Sequence, residues 1–391
     1  MANIVKRGKD SWRLTVNCGK DAEGKYIRHT KTVKCRTKRE AESEYAKFKM
    51  EIETGQYIKP QRMTFSAFME EWREKYANEH LAERTLYTYD SNLKLRILPT
   101  FGHYRMEDIT PLLIADYLKS LGKTGGRKDG KDGSLSSGSV QYNHRILKNI
   151  FSRAVEWEVI KRNPVAPVQK PKVSYKDVLP YDETEVKTLM QALEKEPIHW
   201  QVMVKLAIHT GLRRGELLAL EWRHVDWDRG HIEVQQSVSS TTAGVAKVKE
   251  PKTKKSRRKV GLSAAMLELL REYQRHQAEE RNAIEDWQGG DKLFIFAHPD
   301  GKAFHHERPY QWFRIFLKKN RLRYIRFHDL RHTAATLLIN QGVHAKVIAE
   351  RLGHGDITTT MNIYGHALQA ADKDAANKVS DILFLPARKT K

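Results

Sequence analysis

Residues 327–336 read Phe327-His-Asp-Leu-Arg-His-Thr-Ala-Ala-Thr336, and they set the reading of the whole C-terminal half. Leu330, Ala334, Leu337 and Leu338 fall at i, i+4, i+7 and i+8, the spacing of one buried helix face. His328 and Arg331 are three apart and share another face, near the helix N-terminus. An imidazole beside a guanidinium, where a helix also offers N–H groups, suits a phosphate. In isolation the pair reads equally well as two unrelated polar residues.

Three more segments add to it. His209-Thr-Gly-Leu-Arg-Arg-Gly-Glu-Leu-Leu-Ala-Leu220 has a turn at Gly211 and Arg213 at a helix start. There backbone N–H groups and a guanidinium can face one anion, and Glu216, three residues on, can hold the arginine fork. By itself this describes a structural arginine too. Lys249-Glu-Pro-Lys-Thr-Lys-Lys-Ser-Arg-Arg-Lys259 is a basic turn between strands, able to place a flexible lysine in a cleft or to contact phosphates generally. Arg351-Leu-Gly-His-Gly-Asp-Ile-Thr-Thr-Thr-Met-Asn-Ile-Tyr-Gly-His366 ends one helix at Gly353. Thr358 can cap the next, with Tyr364 on its second turn.

Together the four segments resemble the phage-integrase, or tyrosine recombinase, family. That family has an arginine in Gly-Leu-Arg-x-Gly-Glu, a lysine on a β-turn, His-x-x-Arg, Leu-Gly-His, and a tyrosine ten residues beyond. The matching positions are Arg213, Lys252, His328, Arg331, His354 and Tyr364, in the family's order and spacing. Lys249, Lys254 and Lys255 neighbour Lys252 on its turn. The resemblance covers residues 175–370 of the catalytic part.

Composition agrees with a nucleic-acid partner. The 391 residues carry 70 Lys and Arg against 48 Asp and Glu, a net charge of +22. Such an excess repels itself until a polyanion neutralises it. Its spread along the chain argues against one membrane-seeking amphipathic helix. No apolar run approaches the roughly 20 residues that span a bilayer, and Met1–Asp10 has no apolar signal core. The expected compartment is the bacterial cytoplasm, with no membrane contact. Two cysteines, Cys18 and Cys35, are too few for a four-cysteine zinc site and read as ordinary strand residues.

The pattern predicts a multidomain, mainly α chain with small antiparallel sheets. Residues 1–59 read as a sheet plus helix: strands Trp12–Cys18 and Tyr26–Val33, a turn at Asp21–Lys25, and a helix capped by a Thr37/Glu40 box. Ala41, Tyr45, Phe48 and Ile52 are its inner stripe. The opposite sheet face is expected to carry Lys6, Arg7, Arg13, Lys25, Arg28, Lys31 and Lys34. A basic sheet face of this kind suits entry into a DNA groove.

Residues 64–163 read as all helix, with starts at Thr64 and Thr110-Pro111, stretches at 81–98 and 139–162, and a surface loop at 122–138. Residues 164–180 read as an extended linker whose Lys170, Lys172 and Lys176 can follow a phosphate backbone. Residues 181–391 read as a mixed α+β catalytic domain, helices around one small sheet formed by His231–Val238, Val245–Lys249 and Arg258–Leu262. Its basic turn, with Lys254 and Arg257, is a further expected DNA contact. The tail positions Ala370, Ala371, Ala375, Val379, Ile382, Leu383 and Leu385 form a partly apolar stripe, able to pack on its own core or on a neighbour.

The resemblance implies site-specific DNA recombination: integration or excision of a mobile element or prophage through a 3′-phosphotyrosyl link to Tyr364. It implies Arg213 and Arg331 on the phosphate, with Glu216 supporting. His328 takes the tyrosine proton, His354 donates a hydrogen bond, and Lys252 protonates the leaving 5′-oxygen. It implies no metal, no cofactor and no ATP. It also implies core-type and arm-type DNA sites, read by the 64–163 and 1–59 domains, and a homotetramer on paired sites. A small directionality factor and a host DNA-bending protein are the accessory partners it leaves room for. The rival readings are a type IB topoisomerase, a non-catalytic regulator and a metal-dependent nuclease using some of the 17 histidines.

Overall fold

The computed structural model describes residues 3–20, 23–54, 57, 63–127, 133–173, 179–240, 246–249, 257–285, 287–353, 379–380 and 383. Lys176, Lys252, Lys254, His354, Thr358, Tyr364 and most of the tail stripe lie outside them. The chain divides into two compact units, Met1–Tyr175 and Lys176–Lys391. The division falls inside the stretch that reads as a linker.

The first unit begins with strands β1 (Ile4–Lys6), β2 (Ser11–Lys20) and β3 (Tyr26–Lys34), an antiparallel sheet in that order, followed by helix α1 (Lys38–Glu53). Strand β1 was not read from the sequence. Its three residues are too few to show an alternation, and it lies at the sheet edge. Trp12, Leu14 and Val16 of β2 are buried with Ala41 and Phe48 of α1. The Thr37 hydroxyl accepts from the Glu40 N–H, but Glu40 reaches back to the Arg36 N–H, so the box is displaced by one residue.

Register corrects the expected basic face. Lys31 pairs with Leu14 and Lys6 with Trp12, and directly opposed residues share a face. Both lysines therefore lie on the helix side, with Lys31 Nζ 5.8 Å from the Phe48 ring centre and Lys6 Nζ 5.6 Å from that of Trp12. Arg13, Arg28 and Lys34 remain on the open face, opposite Thr32, Asn17 and Ser11.

The rest of this unit is helical. Helix α2 (Phe65–Trp72) runs through a π-turn at Arg73–Ala77 into α3 (Asn78–His80). Helix α4 (Glu83–Asn92) runs through a second π-turn, Leu93–Ile97, into α5 (Leu98–Phe101). Helices α6 (Pro111–Leu121) and α7 (Ser137–Glu156) follow. Thr64, Thr110 and Ser136 cap α2, α6 and α7 through their hydroxyls. Phe65, Phe68, Trp72, Phe101, Ile150 and Phe151 form the core.

Helix α7 stops six residues before the expected Arg162. Glu158 turns the chain with φ 55°, and Ile160 and Val165 fold back into the core. The first part of the expected linker is not a free tether. His144 Nε2 lies 3.3 Å from Val168 O, and Gln141 Nε2 donates to Pro171 O at 2.7 Å. Lys170 and Lys172 thus stand on a strap pinned to α7.

The second unit opens with α8 (Glu183–Leu193), started by a capping box between Asp182 and Glu185. Helix α9 (Ile198–Thr210) is buried along much of its length and packs against α11 (Ala264–Asn282) and α13 (Asp329–Asn340). Between α9 and α11 lie α10 (Arg214–Leu218), β4 (Val225–Asp226), β5 (His231–Val234), β6 (Ser237–Ser240), β7 (Ala246–Lys249) and β8 (Arg258–Gly261). Helix α12 (Arg308–Lys319) precedes α13, and α14 (Ala345–Leu352) follows it.

The expected single sheet is two. Strands β4-β5-β8 form one and β6-β7 another. The break falls at Gln235–Gln236, where Gln236 Nε2 donates to Ala219 O and Glu221 Oε1 at 2.7 and 2.6 Å. Those two bonds turn the strand away before Ser237. Among the described residues no helix is long and apolar enough to cross a membrane.

Candidate active site

Two helices end in the same way, and their ends meet. Helix α9 stops at Gly211 (φ 65°) and α14 at Gly353 (φ 70°), both left-handed, a conformation glycine adopts without strain. A Cβ on Gly211 would lie 2.3 Å from Leu352 Cδ2, so the α9 turn sits directly on the last residue of α14. Arg351 strengthens the junction, with Nη2 donating to His209 O at 2.7 Å and Gly261 O at 3.1 Å.

The guanidiniums attach to these turns. Arg331, on the first turn of α13 and 3% exposed, donates from Nη1 to Gly211 O at 2.7 Å. Arg213, two residues past Gly211, donates from Nη2 to Gly353 O at 2.9 Å and from Nη1 to Glu216 Oε1 at 2.7 Å. Its side chain is 40% exposed. The second oxygen of Glu216 accepts from the Arg213 N–H at 3.0 Å and from Arg258 Nη2 at 2.8 Å. The N–H at the start of α10 is therefore taken by the chain's own carboxylate, where the sequence suggested an open anion seat. Burial alone would raise the Glu216 carboxyl, but Arg258 and Arg213 hold it below the usual range.

His328 comes immediately before α13, three residues from Arg331. Its ring meets that of His332 edge to face at 5.5 Å between centres. Surrounding protein, then His332 and Arg331, hold its pKa well below the ordinary histidine value, although the residue keeps contact with solvent. The imidazole is therefore neutral at pH 7 and able to accept a proton. Asp329 is occupied elsewhere, with the Arg326 N–H and guanidinium.

The geometry gathers Arg213, Glu216 and Arg331 around the abutting ends of α9 and α14, with His328 three residues before Arg331 and its ring against His332. Gly353, the residue before His354, is bound there too. Arg257 is exposed just before β8. The sequence reading missed Arg258 and Arg351. For Arg258 a signal existed: Val260 is an inward strand position, so Arg258, two residues earlier, faces inward and needs a carboxylate. Tyr310 and Tyr324 bond to each other, and that bond first, then burial, raises the Tyr324 pKa. Among the described residues no cluster of His, Cys, Asp and Glu could hold a metal.

One consequence is an acid-labile unit. His199, His209, His224, His298, His328 and His332 are all held below the ordinary value, burial being the first cause in each, and His199 sits at about 4. Below about 6.5 the unfolded chain binds protons that the folded one refuses, so stability rises with pH through this window. Urea midpoints of the full chain should fall from pH 7 to pH 5, and His199→Asn should flatten that slope. An identical slope in the variant would count against this account.

Comparison with known proteins agrees. The Phage integrase family profile matches residues 181–371, and the profile for the phage integrase N-terminal SAM-like domain matches residues 64–122. The chain belongs to the phage integrase family, the tyrosine recombinases, and is by that membership a site-specific DNA recombinase. It is similar to the ICEBs1 integrase of Bacillus subtilis (strain 168), 33% identical over 282 residues, 71% of this chain and 72% of that protein. It is 27% identical over 400 residues to a tyrosine recombinase XerC-like protein of Caldanaerobacter subterraneus subsp. tengcongensis, covering 98% of this chain and 99% of the relative. Its fold is similar to that of the Tn1549 transposon integrase in complex with a circular intermediate DNA. The TM-score is 0.65 at 18% identity, over 80% of this chain and 99% of that one.

Proposed function

We propose that the chain is the integrase of a mobile element or prophage, cutting and rejoining DNA through a 3′-phosphotyrosyl bond at Tyr364. The observation that carries this reading is the attachment of Arg213 and Arg331 to two abutting helix-end turns, the first to Gly353 O and the second to Gly211 O. Two rigid forks so held can bind the non-bridging oxygens of one phosphate as it gains charge.

The remaining chemistry follows from the residues. A tyrosine of pKa about 10 is roughly 0.1% ionised at pH 7 and needs a base. Neutral His328 takes its proton, and the arriving phosphate raises the low basicity of that ring. The Tyr364 oxygen bonds to phosphorus as the bond to the 5′-oxygen breaks, and Lys252 protonates that oxygen. His354 donates to the phosphate. A second strand's 5′-hydroxyl reverses the step. One phosphoester replaces another, so the exchange requires no ATP, and fixed cations supply the positive charge without a metal or other cofactor.

In this reading residues 64–163 bind the core-type site and residues 1–59 an arm-type site, the latter through Arg13, Arg28 and Arg7. Lys170, Lys172, Lys176, Lys254 and Arg257 contact phosphates. Four protomers assemble on paired sites, aided by a directionality factor and a DNA-bending protein, in the bacterial cytoplasm. The names of the relatives, integrases among them and one from a transposon, support the mobile-element role.

The test uses duplexes selected from a randomised pool by the protein itself, nicked so that the 5′-hydroxyl fragment escapes. Incubated in EDTA, the protein should remain covalently attached, and the digested adduct should yield a phosphate-linked peptide spanning position 364. Binding with no adduct would leave a regulator. Cleavage that EDTA abolishes, with no adduct, would indicate a nuclease. Relaxation of supercoils with no strand exchange between two sites would indicate a topoisomerase.

A further inference from the structure

We propose that Arg258 is a positioning residue for strand cleavage, one side chain that fixes both the carboxylate steering Arg213 and the turn leading to His354. The proposal rests on the catalytic reading above. Arg258 begins β8, where Val234 pairs with it across the sheet, and its side chain is 8% exposed. Its Nη2 donates to Glu216 Oε2 at 2.8 Å, and its Nε donates to Arg351 O, also at 2.8 Å. Gly353 lies so close that a Cβ there would sit 2.7 Å from Arg258 Nη1 and 2.9 Å from Cζ. The guanidinium thus fills the space between α10, the end of α14 and β8.

One contact leads to a reacting group through a hydrogen bond, the other along three residues of chain. Glu216 holds Arg213 by its other oxygen. Arg351 O is in the last turn of α14, two residues before Gly353, whose carbonyl Arg213 also binds. His354 follows Gly353 in the chain. Arg258 also follows Lys252 by six positions in the basic segment of the sequence. A planar fork can hold a carboxylate and a carbonyl at fixed angles at once, which a lysine ammonium, a flexible point charge, cannot do with the same rigidity. Arg258 does not touch the phosphate in this scheme, so its loss alters alignment and leaves the phosphate's direct partners present.

The test compares Arg258→Lys, Glu216→Gln and the double variant on the selected nicked duplexes. The Lys variant keeps the charge and most of the volume, so it should unfold at a urea midpoint close to that of the unaltered protein. Its single-site affinity should change little, while its single-turnover rate of adduct formation should fall by about 10²-fold, the cost of a misaligned reacting group. The double variant should be no slower than the slower single variant, as expected for residues acting through one network. Three results would each overturn the proposal: an unchanged cleavage rate in Arg258→Lys, a loss of affinity equal to the loss of rate, or multiplicative effects in the double variant. If the unaltered protein forms no adduct, the catalytic reading fails first, and the two failures are thereby told apart.

Discussion

Arg331→Ala is expected to lower the rate of covalent cleavage by about 10³-fold while leaving recognition of the duplex largely intact, because its fork acts on charge that develops only during reaction. The residue is nearly inaccessible, and its Nη1 bond to Gly211 O ties α13 to the turn after α9. Removing it leaves that buried carbonyl short of a donor, at about 1–3 kcal/mol. Two readouts separate the effects: a urea midpoint gives the structural part, and single-turnover adduct formation against single-site affinity gives the catalytic part. A variant that cleaves within tenfold of the unaltered protein would remove Arg331 from the reaction. So would a loss of rate matched by an equal loss of binding.

Gly211→Ala should be the most damaging small substitution in the catalytic unit. At φ 65° a Cβ costs about 1–2 kcal/mol. The same Cβ would enter space 2.3 Å from Leu352 Cδ2, and Leu352 is fully buried beside Ala335, Ile339 and Ile348. Forcing that side chain aside costs about 1–3 kcal/mol more. The sum, roughly 2–5 kcal/mol, is a large part of the 5–15 kcal/mol that holds a typical domain. Cleavage should fall with it, since the Gly211 carbonyl is the anchor of Arg331. Gly261→Ala is the control: its φ is ordinary and no atom lies within 4 Å of the added carbon. Equal urea midpoints for the two variants would show that the α9 turn is not the tight junction described.

Much of this was legible along the chain because it is local. Thr64 and Thr110 cap helices through bonds spanning three residues, so their place in the sequence is their place in space. Gly211 and Gly353 mark helix ends for the same reason. The His-x-x-Arg spacing sets His328 and Arg331 on one turn without any tertiary information. The failures are non-local or marginal. Strand β1 is too short to show a period. The β5–β6 break depends on Gln236 meeting Ala219 and Glu221, 17 and 15 residues away. The face assigned to Lys6 and Lys31 depends on register with β2, and a strand's own composition does not state its register.

The amino-acid order by itself determined the family, the types and spacing of the candidate site side chains, and the caps of several helices. The caps and the spacing within each motif are carried by residues a few positions apart, and the family by four such short motifs in order. Tertiary structure decided what holds those side chains: Arg331 on a carbonyl 120 residues away, Arg213 on one 140 residues away, and Arg258 between Glu216 and Arg351. A guanidinium has donors for many acceptors, and only packing brings one carbonyl or carboxylate within 3 Å of it.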